Sequence, residues 1–82
     1  MRFAVTWHPS AEQELAEIWL QATDRQAVTQ AANSIDRQLA HDPQACGEEF
    51  YGDRIFVELP LAVTYTVNLQ DQRVQILQVW HQ

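Results

Sequence analysis

From Leu61 to Leu69 every second residue is apolar: Leu61, Val63, Tyr65, Val67 and Leu69 alternate with Ala62, Thr64, Thr66 and Asn68. Successive side chains on a strand point to opposite faces, so this pattern predicts a strand with one face buried. Such a strand is not stable alone; it needs neighbouring strands and a cover for its apolar face. The flanking segments supply the strands. Arg54 to Leu59 sets Ile55, Val57 and Leu59 against Phe56 and Glu58, and Pro60 marks the turn between the two runs. Gln70-Asp71-Gln72 turns the chain into a further strand, Arg73 to His81. There Val74, Ile76 and Trp80 are expected on one face, Leu77 and Val79 on the other. Apolar residues on both faces point to a central strand, or to one whose outer face takes a partner. Phe3, Val5 and Trp7 alternate with Arg2, Ala4 and Thr6 and predict one more short strand, whose place in the sheet stays open.

The cover comes from residues 9–41. Pro9 suits a first helical turn, and Ser10 with Gln13 reads as a capping box. Leu15, Ile18, Trp19 and Ala22 then recur at helical spacing, with Glu12, Glu14, Glu17 and Gln21 between them. Thr23-Asp24-Arg25-Gln26 reads as a second capping box, so the connection is short and the two helices pack antiparallel. The second helix runs from about Asp24 to His41 on Val28, Ala31, Ala32, Ile35 and Leu39, and Pro43 ends it. Residues 43–53 read as one long loop. The expected architecture is α+β in the order β-α-α-β-β-β, a two-helix hairpin on one face of an antiparallel sheet.

Eighty-two residues make one domain. Eleven acids face five arginines and no lysine, a net charge of −6. Binding to nucleic-acid backbones gains its free energy from cations released by protein positive charge, so broad binding of that kind is not expected. A local arginine cluster remains compatible with this balance, and a basic protein partner would be attracted. A single cysteine, Cys46, suits a reducing compartment, and no signal peptide or membrane-spanning run is evident, so a cytoplasmic location is expected. His8, His41 and His81 lie too far apart in the sequence to make a metal motif, and no cofactor-binding loop is present.

Taken in order, several segments resemble the RelE/ParE toxin superfamily of type II toxin–antitoxin systems. Trp7-His8-Pro9-Ser10 leading through Leu15, Ile18 and Trp19 looks like its opening strand and helix. Ile35-Asp36-Arg37-Gln38-Leu39, then Asp42-Pro43 and Gly47, looks like the end of its second helix and the loop beyond. Gly52-Asp53-Arg54, Val63-Thr64-Tyr65-Thr66-Val67 and Val74 to His81 look like its later strands. The ParE-like branch fits better. The resemblance implies a growth-inhibiting toxin, as in plasmid stabilization, held by a cognate antitoxin that wraps it with a helix and an extended segment. It implies DNA gyrase as a target in the ParE-like branch, and mRNA cleavage on the ribosome in the RelE-like branch. A degenerate member would keep the fold without the toxicity, and a homodimer or a toxin–antitoxin complex is the expected assembly.

Cleavage of RNA through its 2′-hydroxyl needs a base, a cation on the phosphate and an acid for the leaving oxygen. The resemblance would draw these from cations on the sheet and a C-terminal tyrosine or histidine. Here Arg54, Arg73, Glu58, Tyr65 and His81 remain, with Arg54 and His81 the catalytic candidates; Arg73 reads as a residue beside the hairpin turn, paired with Asp71 or solvent. Arg54 reads first as a tie between the long loop and the sheet, His81 as an exposed residue. Glu58 reads as the solvent side of its strand, and Tyr65 as a packed strand residue. The expected partner-binding residues are Leu77, Val79 and Trp80 on the two-faced strand, with Glu12 and Glu17 on the acidic side of the first helix.

Overall fold

The computed structural model describes residues 2–82. In chain order it contains β1 (Ala4–Trp7), α1 (Pro9–Gln21), α2 (Arg25–His41), β2 (Glu48–Phe50), β3 (Asp53–Glu58), β4 (Leu61–Asn68) and β5 (Arg73–His81). The sheet runs β1-β5-β4-β3-β2. The β2 to β5 neighbours are antiparallel, whereas β1 pairs with β5 in parallel, so the sheet is mixed. Both helices cover one face: α1 lies over β5, and α2 over β1, β3 and β4.

The α+β expectation holds, with one strand more. Within 43–53, Glu48–Phe50 pairs with β3 as a three-residue edge strand closed by a Tyr51-Gly52 turn. Both turn residues have positive φ, +50° and +86°. The helix caps sit elsewhere than the sequence suggests. Pro9, lacking an N–H, starts α1, and His8 is its N-cap, its Nδ1 accepting the Ser10 N–H at 3.1 Å. Asp24, not Thr23, caps α2 by accepting the Ala27 N–H at 3.0 Å.

The inner face carries Leu61, Val63 and Tyr65 of β4 together with Val74, Ile76 and Val79 of β5, all essentially buried. Val28, Ala31, Ile35 and Leu39 of α2 and Ala11 of α1 close the core over them. The alternation in β5 breaks at one point. Thr64 pairs with Gln78 but Tyr65 with Ile76, so Leu77 is an extra residue, a β-bulge. One inserted residue reverses the face of every residue after it. Val79 therefore points inward with Val74 and Ile76, and Trp80 points to the outer face opposite Ala62. This corrects the expected grouping of Trp80 with Val74 and Ile76. It also removes Val79 from the residues open to a partner, because it is 2% exposed. On β3 the inner face carries Arg54, Phe56 and Glu58, in register with Tyr65, Val63 and Leu61. Glu58 is thus not a solvent residue. Its Oε2 accepts from Ser34 Oγ at 2.6 Å and from Gln38 Nε2, which ties β3 to α2.

Candidate functional site

Between the outer flanks of α1 and α2 runs an open groove of about 630 Å³. Its walls are Leu15, Ala16 and Leu20 of α1 and Val28 and Ala32 of α2. A tryptophan closes each end, and both indoles are held by their N–H groups. Trp7 donates to Asp36 Oδ1 at 2.9 Å, and Trp19 donates to Thr29 Oγ1 at 3.2 Å. Arg25 fixes Trp19 further. Its guanidinium lies 4.7 Å from the ring centroid, while its Nε and Nη2 donate to the Trp19 and Leu20 carbonyls that α1 leaves unpaired at its end. The α1 side is the open one, with Trp19 39% and Leu20 62% exposed, whereas Val28 on the α2 side is buried. Glu12 and Asp36 lie at the rim. The groove is thus apolar along its length, with acidic groups at Glu12 and Asp36.

The sequence reading assigned Trp19 to the buried side of α1, because it recurs with Leu15 and Ile18. The missed signal was Ala16 and Leu20, which extend the apolar surface of α1 round to a second side. Glu12 belongs to this groove; Glu17 is exposed but does not line it. Glu14, between them, is half-buried. β1 stops at Trp7, and the last bond on that side joins the His8 N–H to the Ile76 carbonyl. Beyond it Glu14 Oε1 accepts the Val79 N–H at 3.3 Å and caps part of the free edge of β5. Leu77 is half-buried at the bulge. Trp80 is half-exposed on the outer face, its Nε1 donating to Gln82 at 3.0 Å.

The two catalytic candidates are kept apart. Arg54 pairs across the sheet with Tyr65, whereas His81 pairs with Leu61, four residues along β4. That is roughly 13 Å along the strand direction. His81 lines a small hollow with Thr23, Asp24, Leu59 and Pro60, beside the helix connection. Arg54 is committed to the loop after α2. Its Nη2 donates to the carbonyls of Gln44 (2.9 Å), Cys46 (3.2 Å) and Gly47 (3.1 Å). The Tyr65 hydroxyl lies 2.7 Å from the Pro43 carbonyl and 2.6 Å from that of Cys46, and it accepts from Arg54 Nε at 3.4 Å. Burial raises the Tyr65 hydroxyl above its ordinary pKa, against the lowering effect of Arg54. Burial likewise raises the Cys46 thiol, with Asp42 adding to it, so this thiol is not an activated nucleophile. Gly47, at φ +65°, completes the knot: a side chain there would collide with the Ile55 carbonyl. On the outer face of the sheet the paired strands present Thr6, Thr64, Thr66, Gln75 and Gln78, with Arg73 at one end. Among the described residues no group of histidine, cysteine and acids is placed to hold a metal ion. No described helix is long and apolar enough to cross a membrane.

The whole fold recurs in solved toxin–antitoxin complexes. A chain of the RelBE2 complex from Mycobacterium tuberculosis superposes with a TM-score of 0.83 at 16% identity, over 100% of both chains. A chain of the archaeal RelE–RelB complex from Pyrococcus horikoshii gives 0.70 at 16% identity, over 99% of this chain and 96% of the other. A chain of the chromosomal ParDE system from P. aeruginosa gives 0.64 at 19% identity, over 98% and 96%. A comparison with curated protein sequences finds no match. The fold is thus one used by the chains of type II toxin–antitoxin complexes. Residues 5–82 match the model of the ParE toxin of the type II toxin–antitoxin system parDE, and the chain belongs to that family.

Proposed function

We propose that this toxin acts by binding a protein target, with DNA gyrase the expected one, and that its cognate antitoxin silences it by seating an amphipathic segment in the groove between Trp7 and Trp19. The observation that carries the first half is the commitment of Arg54. With Nη2 given to three loop carbonyls and Nε to Tyr65, this guanidinium is oriented by the loop rather than held out for a scissile phosphate, and His81 stands at the other end of the sheet. The groove supports the second half. It is apolar, preformed, and rimmed by Glu12 and Asp36, so an apolar face flanked by lysine or arginine matches it in shape and charge.

Induced expression in a bacterial host tests both halves. Replication is expected to stop and the DNA-damage response to rise while mRNA stays intact, and co-expression of the neighbouring antitoxin is expected to restore growth. Ribosome-dependent mRNA cleavage would overturn the target assignment, and unimpaired growth would overturn the toxicity. For the groove, Leu20→Ser is expected to weaken the antitoxin complex at least tenfold by isothermal titration, since a well-packed anchor contributes more than about 1.4 kcal/mol. Undiminished affinity would remove the groove from the interface.

A further inference from the structure

The five arginines are used unequally. Arg25 and Arg54 spend their donors on backbone carbonyls. Two of the others, Arg2 and Arg37, border a single cleft of about 710 Å³ together with His41, Gln38, Asp42 and Cys46. Arg37 and His41 stand one turn apart on α2, so they share a side of the helix. The segment bearing Arg2 is drawn against them by the Phe3 N–H, which donates to the Ala40 carbonyl at 2.7 Å. Among the described residues, Arg2, Arg37 and His41 make no hydrogen bond or ion pair.

This is unexpected in a chain where acids outnumber arginines eleven to five. The nearby polar groups have partners other than these three. Asp42 Oδ1 lies 3.3 Å from the Ala45 N–H, and Asp36 takes the Trp7 N–H. The Gln38 amide is held by Ser34 and by Glu58. Two guanidiniums and an imidazole from two separate segments are left bordering one opening, and the two guanidiniums repel one another.

We propose that this cleft binds the phosphate group of a small ligand. A carboxylate has two oxygens and is served by one guanidinium fork; three donor groups on two segments, Arg37 and His41 on α2 and Arg2 before β1, can reach more of the terminal oxygens that a phosphate offers. The α2 carbonyl end and Asp42 oppose an anion here, so binding is weak, with dissociation constants expected near the millimolar range for inorganic phosphate. This site lies on the other side of α2 from the groove and does not depend on the toxin reading.

The test is a titration of the full chain, uniformly labelled with nitrogen-15, with inorganic phosphate, pyrophosphate and adenosine monophosphate at constant ionic strength. The expected result is saturable amide shifts over residues 37–42 and next to Arg2, tighter for pyrophosphate than for phosphate. Arg37→Gln and Arg2→Gln are each expected to weaken binding roughly tenfold, the effect of losing one charge-assisted bond. Arg73→Gln is the control: this exposed arginine pairs with Ala4, near Arg2, but does not line the cleft, so it reports any loss due to net charge alone. An unchanged spectrum outside the cleft shows that each variant is folded. A tighter constant for adenosine monophosphate than for phosphate places a nucleoside beside the phosphate; equal constants confine recognition to the phosphate. Shifts that fail to saturate, that chloride reproduces, or that persist equally in Arg37→Gln would overturn the proposal.

Discussion

The knot around Arg54 and the groove around Trp19 use polar groups in opposite ways. In the knot the polar groups are turned inward: Arg54 Nη2 and the buried Tyr65 hydroxyl gather carbonyls from Pro43 to Gly47 and pin the loop onto β3 and β4. In the groove Asp36 and Thr29 orient the tryptophans and Glu12 lines the opening, while Ala16 and Leu20 of the wall stay uncovered. A satisfied buried network rigidifies what it touches. An uncovered apolar wall does nothing for the free chain and gains free energy only when a partner covers it. The same fold therefore holds one region closed for its own stability and leaves another partly uncovered.

This contrast can be broken most severely from below. Val63 lies on the same face as Tyr65, and it belongs to the core cluster with Val28, which lines the groove. Val63→Asp buries an unpaired charge at a fully buried position, and its cost is expected to match or exceed the whole stability of so small a domain. Loss of the cooperative unfolding transition in circular dichroism is the expected outcome; a soluble, cooperatively unfolding variant would refute the strand assignment. Arg54→Ala strikes the knot alone. Removing one donor from three carbonyls is expected to cost about 2–3 kcal/mol in urea denaturation and to speed amide exchange across residues 44–47, without altering antitoxin affinity. Tyr65→Phe is milder, about 1–2 kcal/mol.

Tyr65 also sets a pH dependence. Its pKa is higher folded than unfolded, so above about 10 the unfolded chain loses the phenolic proton first. The stability the hydroxyl contributes is present below that pH and is lost as pH rises through the folded value. Wild type is expected to weaken above pH 10 more steeply than Tyr65→Phe. The smallest effect belongs to the groove: Leu20→Ser, at a site 62% exposed, is expected to change stability by less than about 0.5 kcal/mol. A large loss of stability there would show that the groove wall is part of the core.

Most of the framework was legible because it rests on periodicity. The alternation in β4 and the spacing of Val28, Ile35 and Leu39 needed no tertiary knowledge. The bulge at Leu77 was not legible. A slip of one residue in an apolar run leaves apolar residues on both faces, and only the pairing with β4 shows which of Val79 and Trp80 is inside. The parallel seat of β1 depends on a partner at the far end of the chain, and β2 is too short to show a period. The tie from Arg54 to the loop was a reading made from the residues. That three carbonyls share it depends on the loop path, which the sequence does not encode locally. The groove was missed in part because Trp19 has the spacing of a core residue while only its ends are held.

The strand order also bears on synthesis. β5 lies between β1 and β4, yet of the described strands it leaves the ribosome last; Thr6 and Val74, which share a hydrogen bond, are 68 positions apart. While the chain is growing, β1 has no strand to join and β4 lacks one of its two neighbours. The nascent chain thus holds a helical hairpin over half a sheet, and closure waits for residues 73–81. A stop codon or frameshift anywhere before that stretch deletes the middle of the sheet rather than trimming an edge. Near-complete products of this gene should therefore be degraded as unfolded chains, and late truncations should inactivate it as thoroughly as early ones.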